Sequence, residues 1–392
     1  MNSSFDRYKV RAWAEIDVNA LVNNYTLARR HLNEGTGLLA VVKANAYGHG
    51  IENAVKLMNK KTKVDGYAVA TPDEALELRA TGVDQKILIL GYTSPICYRE
   101  IITAGGILPT VFSYDSAKIL HDTADEMGID KVNCYFALDS GMHRIGFSSD
   151  EAGLDEAVKA AKLSRIWVEG IFSHFAKADE KNRDTTHCQE DVFYKFKSLF
   201  EECIGRKIKA SLYNSAAISE PTPRGSLNDA RLGIMLYGLK ASDDIDRESY
   251  IPAMEFKTRV VRVHTVPRGE GIGYGHSHIA DKEMRVATLS VGYADGYRRD
   301  LSNKGEVIIR GKKCPIVGRV CMDMMMVCVD GLDDVAVGDV AVLFGRDGDC
   351  EITADNIADS LGTIGHEIVC GISKRVPRIY KLDGEFVAVD KQ

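Results

Sequence analysis

The feature that most constrains this chain is an alternation between short apolar runs and helical segments. The runs fall at 38–42, 67–70, 87–90, 109–112, 132–138, 166–172, 208–213 and 234–237. Each has the length of a buried strand, and most are separated by a segment of helical period. Thr71-Pro72-Asp73-Glu74-Ala75-Leu76-Glu77-Leu78 is typical: a Thr cap, a proline in the first turn and acids near the positive end of the helix. In the segment 184–203, Val192, Phe193, Phe196, Leu199, Phe200 and Cys203 form one apolar face. Eight strand-like runs alternating with helices over about 220 residues predict a (β/α)8 barrel of the TIM type. A doubly wound open sheet is the competitor. It would hang its chemistry on a Gly-rich first loop, and residues 44–50 lack G-x-G-x-x-G.

Two segments lie outside this pattern. Arg11-Ala12-Trp13-Ala14-Glu15-Ile16-Asp17 alternates apolar and polar, as a half-buried strand does, and Asp17 is placed to cap a helix carrying Leu21, Val22, Tyr25 and Leu27. Near residue 240 the character changes. Ala241-Ser242-Asp243-Asp244-Ile245-Asp246-Arg247 is a polar, acidic link. Beyond it, strand signals at 260–266, 285–291, 307–310, 325–329 and 340–344 are separated by Gly and Asp turns, and only 353–361 reads as a helix. The expected fold is therefore α/β, with an N-terminal barrel over 1–245 and a C-terminal, mostly β domain over 246–392.

Composition narrows the classes of partner. A net charge of −6 gives no basic footprint for nucleic acid. No apolar run approaches the roughly 18 residues that span a bilayer, and the opening Met1-Asn2-Ser3-Ser4-Phe5-Asp6-Arg7 lacks the apolar core of a signal peptide. The nine cysteines are an odd number with no C-x-x-C pair, and the seven-residue steps of Cys314, Cys321 and Cys328 match no zinc signature. They read as reduced core thiols of a cytoplasmic protein without a metal site.

Several stretches carry candidate chemistry. Lys43 closes the run at 38–42 and precedes Ala44-Asn45-Ala46-Tyr47-Gly48-His49-Gly50. A lysine at the C-terminal mouth of a barrel strand sits where such folds keep their chemistry. Burial lowers an ammonium pKa, and a neutral amine forms a Schiff base with a carbonyl. Taken locally, Lys43 reads more simply as a cap that reaches solvent. His174 ends the sixth run, and a lone strand-end histidine is more often structural than catalytic. Asn214-Ser215-Ala216 after the seventh run, with Arg231-Leu232-Gly233-Ile234 opening the eighth, suits a phosphate seat. Arg144, in Asp139-Ser140-Gly141-Met142-His143-Arg144, suits a carboxylate clamp or an ordinary surface ion pair. Gly271-Ile272-Gly273-Tyr274-Gly275 reads as a tight β-turn.

Together these stretches resemble the alanine racemase family, fold-type III enzymes that use pyridoxal 5'-phosphate. Gly292-Tyr293-Ala294-Asp295-Gly296, Cys321-Met322-Asp323 and Arg375-Val376-Pro377-Arg378 add to the likeness, which runs from Ala14 to Tyr380. The resemblance implies an alanine racemase, with Lys43 holding the cofactor and acting as one base. Tyr274 is the second base, contributed by the other subunit of a homodimer with shared sites. It implies phosphate contacts from Tyr47, Ser215, Gly233 and Ile234, and Arg231 at the ring nitrogen, with His174 orienting Arg231 and the tyrosine. Arg144 and the backbone of Met322 would seat the substrate carboxylate, with Tyr293, Cys321 and Asp323 in support. The family also lends its first strand, here about residues 9–16, to the C-terminal domain. The implied role is D-alanine supply for peptidoglycan precursors.

The physical logic suits these roles. Racemisation needs a base on one face of Cα and an acid on the other. Tyrosine, with a pKa of about 10, needs cations such as Arg231 and His174 nearby to serve as a base. Two positions depart from the family. Ala137 stands where some members carry a modified lysine that braces the arginine, leaving Arg144 to another partner. Gly365-His366 replaces the usual Asn-Tyr, putting His366 beside the phosphate and the substrate side chain. Serine racemases of the family also replace that tyrosine, so serine, or both amino acids, is an expected alternative substrate. A fold-type III decarboxylase is a further alternative, but it would place a carboxylate where Arg231 stands. A barrel-only cofactor carrier would lack the second domain.

Overall fold

The computed structural model describes residues 5–219, 227–242, 244 and 249–390. Residues 243 and 245–247 of the expected link, the expected boundary at 245–246 and Met1-Asn2-Ser3-Ser4 lie outside the described residues.

Parallel strands run from Gly37–Val41 to Gly66–Val69, Ile87–Ile89 and Ile107–Leu108. At the fourth position Pro109, which has no N–H to donate, interrupts the ladder. The strand resumes as Thr110–Val111 and pairs with Val132–Asp139, followed by Ile166–Phe172 and Lys209–Ser211. Asp229–Leu232 returns to pair with Gly37–Val41. Across the remaining seam, Asn228 N–H donates to Ala210 O and Arg231 N–H to Tyr213 O, each at 2.9 Å. Eight parallel positions thus close into a barrel, with helices between them. The helix Pro72–Ala80 has a complete capping box between Thr71 and Glu74. Along Asp184–Ile204 the buried face is Phe193, Phe196 and Phe200, whereas Leu199 and Cys203 are exposed.

The eighth strand differs from the sequence expectation. It is Asp229–Leu232, and 234–237 is a 3-10 turn. Ile234, Met235, Leu236 and Tyr237 are all buried, so apolar character alone does not separate turn from strand here. The consequence is functional: Gly233 and Ile234 lie just past the end of the strand, at the barrel mouth.

A ten-stranded, mostly antiparallel sheet forms the second body. Its long strand Met254–Val266 pairs with Met284–Leu289 and Val340–Asp347. The chain's first strand, Ala12–Asp17, lies between Met254–Val266 (antiparallel) and Arg378–Leu382 (parallel). Asp17 then accepts the N–H groups of Asn19 and Ala20 and starts the helix Val18–Arg30. Besides the expected helix, Ala354–Leu361, this region holds a second, Gly365–Cys370, too short to show a period. All nine cysteines are free thiols. Cys134 and Cys314 are buried, whereas Cys321 and Cys328 are only partly so. Among the described residues no helix is long and apolar enough to cross a membrane.

Candidate active site

Lys43 follows the first barrel strand and opens a turn of unusual hand. Ala44, Asn45, Ala46 and Tyr47 have φ of 52°, 55°, 52° and 51°. A left-handed helical conformation costs L-residues roughly 1–2 kcal/mol each, so the surroundings must hold it. Glu74 Oε1 accepts the Ala44 N–H at 2.7 Å and Asn45 Oδ1 accepts the Ile51 N–H at 2.8 Å. The turn ends at Gly48, with φ 81°, where an added Cβ would stand 2.2 Å from Val369 O. Burial, then the nearby guanidinium of Arg144, hold the Lys43 pKa below the ordinary lysine value. The amine is thereby poised to lose its proton.

Lys43 lines a cavity of about 410 Å³ at the barrel mouth. Tyr47, His174, Ser215, Arg231, Gly233, Ile234 and His366 line the same cavity. One wall has the geometry expected of an anion seat. Ser215 Oγ accepts the Gly233 N–H at 2.8 Å, and Asn214 caps the short turn Ser215–Ile218 through the Ala217 N–H. A Cβ on Gly233 would stand 3.0 Å from Tyr47 Oη and 3.5 Å from Ser215 Oγ. Two hydroxyls therefore face a space kept open by the missing side chain. The Tyr47 ring is 4.8 Å from that of Tyr237, whose hydroxyl donates to Val41 O at 2.9 Å.

Arg231 is buried without a carboxylate against it. It donates to Ser211 O and Oγ at 2.7 and 2.8 Å, to Ser173 O at 2.7 Å and to Leu212 O at 3.2 Å. Its remaining contact is His174 Nδ1 at 3.3 Å. An arginine only donates, so His174 Nδ1 is the acceptor and the imidazole proton sits on Nε2. Burial, then Arg231, push His174 down to about 3, so it is neutral. The expected pair of cations thus reduces to Arg231, itself pushed down to about 10 by burial and by Arg144. His366 packs 5.8 Å from the Tyr47 ring, and its buried Nδ1 has no hydrogen-bond partner in the fold. Burial, then Lys43, push it down to about 4.

Arg144 is exposed, and among the described residues no carboxylate pairs with it. Ala137, at the position of the absent lysine, is buried in the strand Val132–Asp139.

The remaining expected residues do not meet Lys43 within one chain. Tyr274, Cys321, Met322 and Asp323 line a second cavity, of about 610 Å³, on the β domain. Tyr274 is 68% exposed and Met322 53%. The Met322 loop is nevertheless fixed. Tyr293 N–H donates to Cys321 O and Ala294 N–H to Met322 O, each at 3.0 Å. A Cβ on Gly292 would meet Cys321 O at 2.2 Å.

Sequence reasoning assigned no role to the ion cluster behind this loop. Buried Asp295 pairs with Arg11 at 2.7 Å and with Arg375 at 2.8 Å, and Arg375 also reaches Asp323 at 2.6 Å. The cluster ties the N-terminal strand to the Met322 loop. The aspartate and Arg375 stand in quoted motifs, but nothing in the text pairs them across 80 residues. Glu74 was likewise read only as an acid at the positive end of its helix, although it also accepts the Ala44 N–H of the lysine turn.

Comparison with known proteins bears on the whole chain. The family profile described as "Alanine racemase, N-terminal domain" matches residues 16–241, and "Alanine racemase, C-terminal domain" matches 253–380. The chain is 41% identical over 382 residues to alanine racemase 1 of Clostridium acetobutylicum, covering 96% of this chain and 97% of that one. It is 42% identical over 373 residues to the alanine racemase of Halothermothrix orenii, covering 94% and 96%. Among solved structures, the alanine racemase of Clostridium difficile 630 superposes with a TM-score of 0.91 at 38% identity, covering 97% of this chain and 98% of that one. The alanine racemase of Bacillus anthracis with bound L-Ala-P gives 0.89 at 34%, covering 97% of each.

Proposed function

The chain belongs to the alanine racemase family, and on that premise we propose that Lys43 and Tyr274 are its two bases, working in a site that two copies of the chain share. The reaction is the interconversion of L- and D-alanine, and the cofactor is pyridoxal 5'-phosphate. The residues present fit that group. The space beside Gly233, between the hydroxyls of Tyr47 and Ser215, suits a phosphate, and Lys43 in the same cavity suits its carbonyl carbon. Tyr47, Ser215, Gly233 and Ile234 would hold the phosphate, and Arg231 the ring nitrogen. When bound, the cofactor supplies the acceptor for the electron pair left as the Cα proton departs.

The chain's own groups do the rest. Lys43, its pKa lowered by burial, takes or returns the Cα proton at Nζ on one face. Tyr274 Oη does so on the other. Arg231, held by carbonyls and a neutral histidine, stays a cation that disfavours protonation of the ring nitrogen. A cofactor bound beside that cation would be a weaker electron acceptor, which would limit side reactions. Arg144, with no carboxylate of its own, and the Met322 N–H, which has no acceptor among the described residues, suit the substrate carboxylate. Tyr293, Cys321 and Asp323 support the loop that carries Met322.

The observation that carries the shared site is the separation of the two sets. Lys43 and the anion seat line one cavity, whereas Tyr274 and Met322 line another and stand largely exposed. A homodimer in which each β domain covers the partner's barrel mouth would join them. We divide the chain into a barrel over 1–245, less its first strand, and a β domain over 246–392. We place it in the cytoplasm, where its nine free thiols are stable, supplying D-alanine for peptidoglycan precursors.

Serine is a second reading, favoured by one observation. His366 lines the cavity and its buried Nδ1 has no partner among the described residues, so a turn of the ring toward a substrate hydroxyl would give it one. Chiral analysis of the products from L-Ala and L-Ser tests both readings. D-Ala from L-Ala is expected, with D-Ser as a second product that falls relative to D-Ala in His366→Tyr. No D-Ala would overturn the main reading. An unchanged serine-to-alanine ratio in His366→Tyr would remove His366 as the cause of any serine turnover.

A further inference from the structure

Among the described residues the left-handed turn after Lys43 has no counterpart elsewhere in the barrel, and its downstream end is held from the β domain. Three successive carbonyls, of Gly48, His49 and Gly50, close the segment before the helix Ile51–Lys61. Arg378 Nε–H donates to Gly48 O at 3.0 Å. Tyr380 Oη donates to His49 O at 2.8 Å and lies 3.3 Å from Gly50 O. The two side chains are two residues apart on one strand, Arg378–Leu382, and so share a face of the sheet.

Both groups are costly to bury, and each spends part of its hydrogen-bonding capacity on the 48–50 segment. Arg378 is 4% exposed, and its other N–H groups go to the carbonyls of Ser373, Val376 and Ile372, each at 2.7 Å. No carboxylate pairs with it among the hydrogen-bonded groups. Tyr380 is fully buried, and its oxygen also meets the Asp390 carboxyl, to which Asn53 donates. Gly50 has no room for a side chain, because a Cβ would stand 1.9 Å from Tyr380 Oη. Arg231 gathers carbonyls at the far side of the cavity in the same manner.

We propose that Arg378 and Tyr380 are positioning residues for Lys43, clamping the carbonyls at 48–50 so that the left-handed turn presents the amine to the cavity. This rests on the reading of Lys43 as one of the two bases. Neither residue lines the cavity that holds Lys43, so each acts through the turn and not on the substrate. The upstream end is fixed separately, by the Val42 N–H to Ala68 O at 2.8 Å. Glu74 also holds the Ala44 N–H, so releasing the downstream end loosens the turn from 48–50 backwards while leaving the strand in place.

The test uses Tyr380→Phe, which removes one hydroxyl, and Arg378→Lys, which keeps the charge but loses the fork. Both are prepared as holoenzymes beside Lys43→Ala. The clamp predicts a fall in kcat of about tenfold with a much smaller change in KM. It also predicts faster removal of pyridoxal phosphate by hydroxylamine, followed by its visible absorption. The Cα-deuterium isotope effect should rise in the direction of racemisation in which Lys43 takes the proton and fall in the other, because both directions cross the same two proton transfers. A merely structural role would instead lower Tm and change both directions alike, and that result would overturn the proposal. So would kcat and hydroxylamine rates within twofold of wild type in both variants. Lys43→Ala separates the two claims: if it keeps the bound cofactor's visible absorption, the reading of Lys43 itself is at fault.

Discussion

At position 233 a hydrogen atom in place of a side chain keeps the anion seat open. The position where a Cβ would go lies 3.0 Å from Tyr47 Oη and 3.5 Å from Ser215 Oγ, tight enough to exclude a second occupant. Its φ of −96° is not left-handed, and the argument here rests on space. Gly233→Ala is therefore expected to fold and to lose cofactor affinity by at least about tenfold, which is about 1.4 kcal/mol. Titrating the apoprotein with pyridoxal phosphate and following visible absorption measures this, and unchanged affinity would remove the seat. The expected members of this cavity, His366 apart, were legible in the sequence because each stands in a short motif at or just past a strand end. Their protonation states were not. His174 is neutral because it is buried against Arg231 and Arg144, and neither neighbour is near it in sequence. The free Nδ1 of His366 was equally invisible, since it depends on what the fold does not put there.

Among the elements, the turn after Lys43 is the one the sequence concealed. Its Asn and Gly content marked a loop, but a left-handed run through Ala44, Asn45, Ala46 and Tyr47 goes against the preference of three of the four residues. Contacts from Glu74, Arg378 and Tyr380, all distant in sequence, add to the local bond from Asn45 in making it the native state. Gly48 tests how tightly the turn is held. At φ 81° its Cβ would stand 2.2 Å from Val369 O, whereas Gly82, at φ 87°, has nothing within 4 Å. Gly48→Ala is expected to cost about 2–4 kcal/mol, from left-handed backbone and overpacking together. Gly82→Ala carries the backbone term alone, about 1 kcal/mol. Urea unfolding of both variants compares them, and equal costs would mean that Val369 yields. The eighth strand shows the opposite failure. Its apolar residues were read correctly as buried but set too far along the chain, because a buried 3-10 turn and a buried strand share one composition.

For the molecule as a whole, the alternation of runs and helices was enough for the barrel, and the change of character near residue 240 was enough to expect a second body. What the text did not carry is the register, including the seam closed by Asn228 and Arg231. Nor did it pair Arg11 with Asp295, the contact that carries the N-terminal strand to the Met322 loop. The largest consequence is that the two sets of expected site residues lie apart in one chain. Lys43 and the anion seat lie in one cavity, and Tyr274 and Met322 in another. If two chains complete each other, defects in the two halves must complement. The direct measurement is racemisation by a reassembled mixture of Lys43→Ala and Tyr274→Phe proteins, each inactive alone. Half of randomly reassorted dimers are mixed, and each mixed dimer holds one intact site of two. The mixture should therefore regain about a quarter of wild-type activity. A mixture no more active than its parents would contradict the shared site, and near wild-type racemisation by the Lys43→Ala protein alone would contradict the account at its centre.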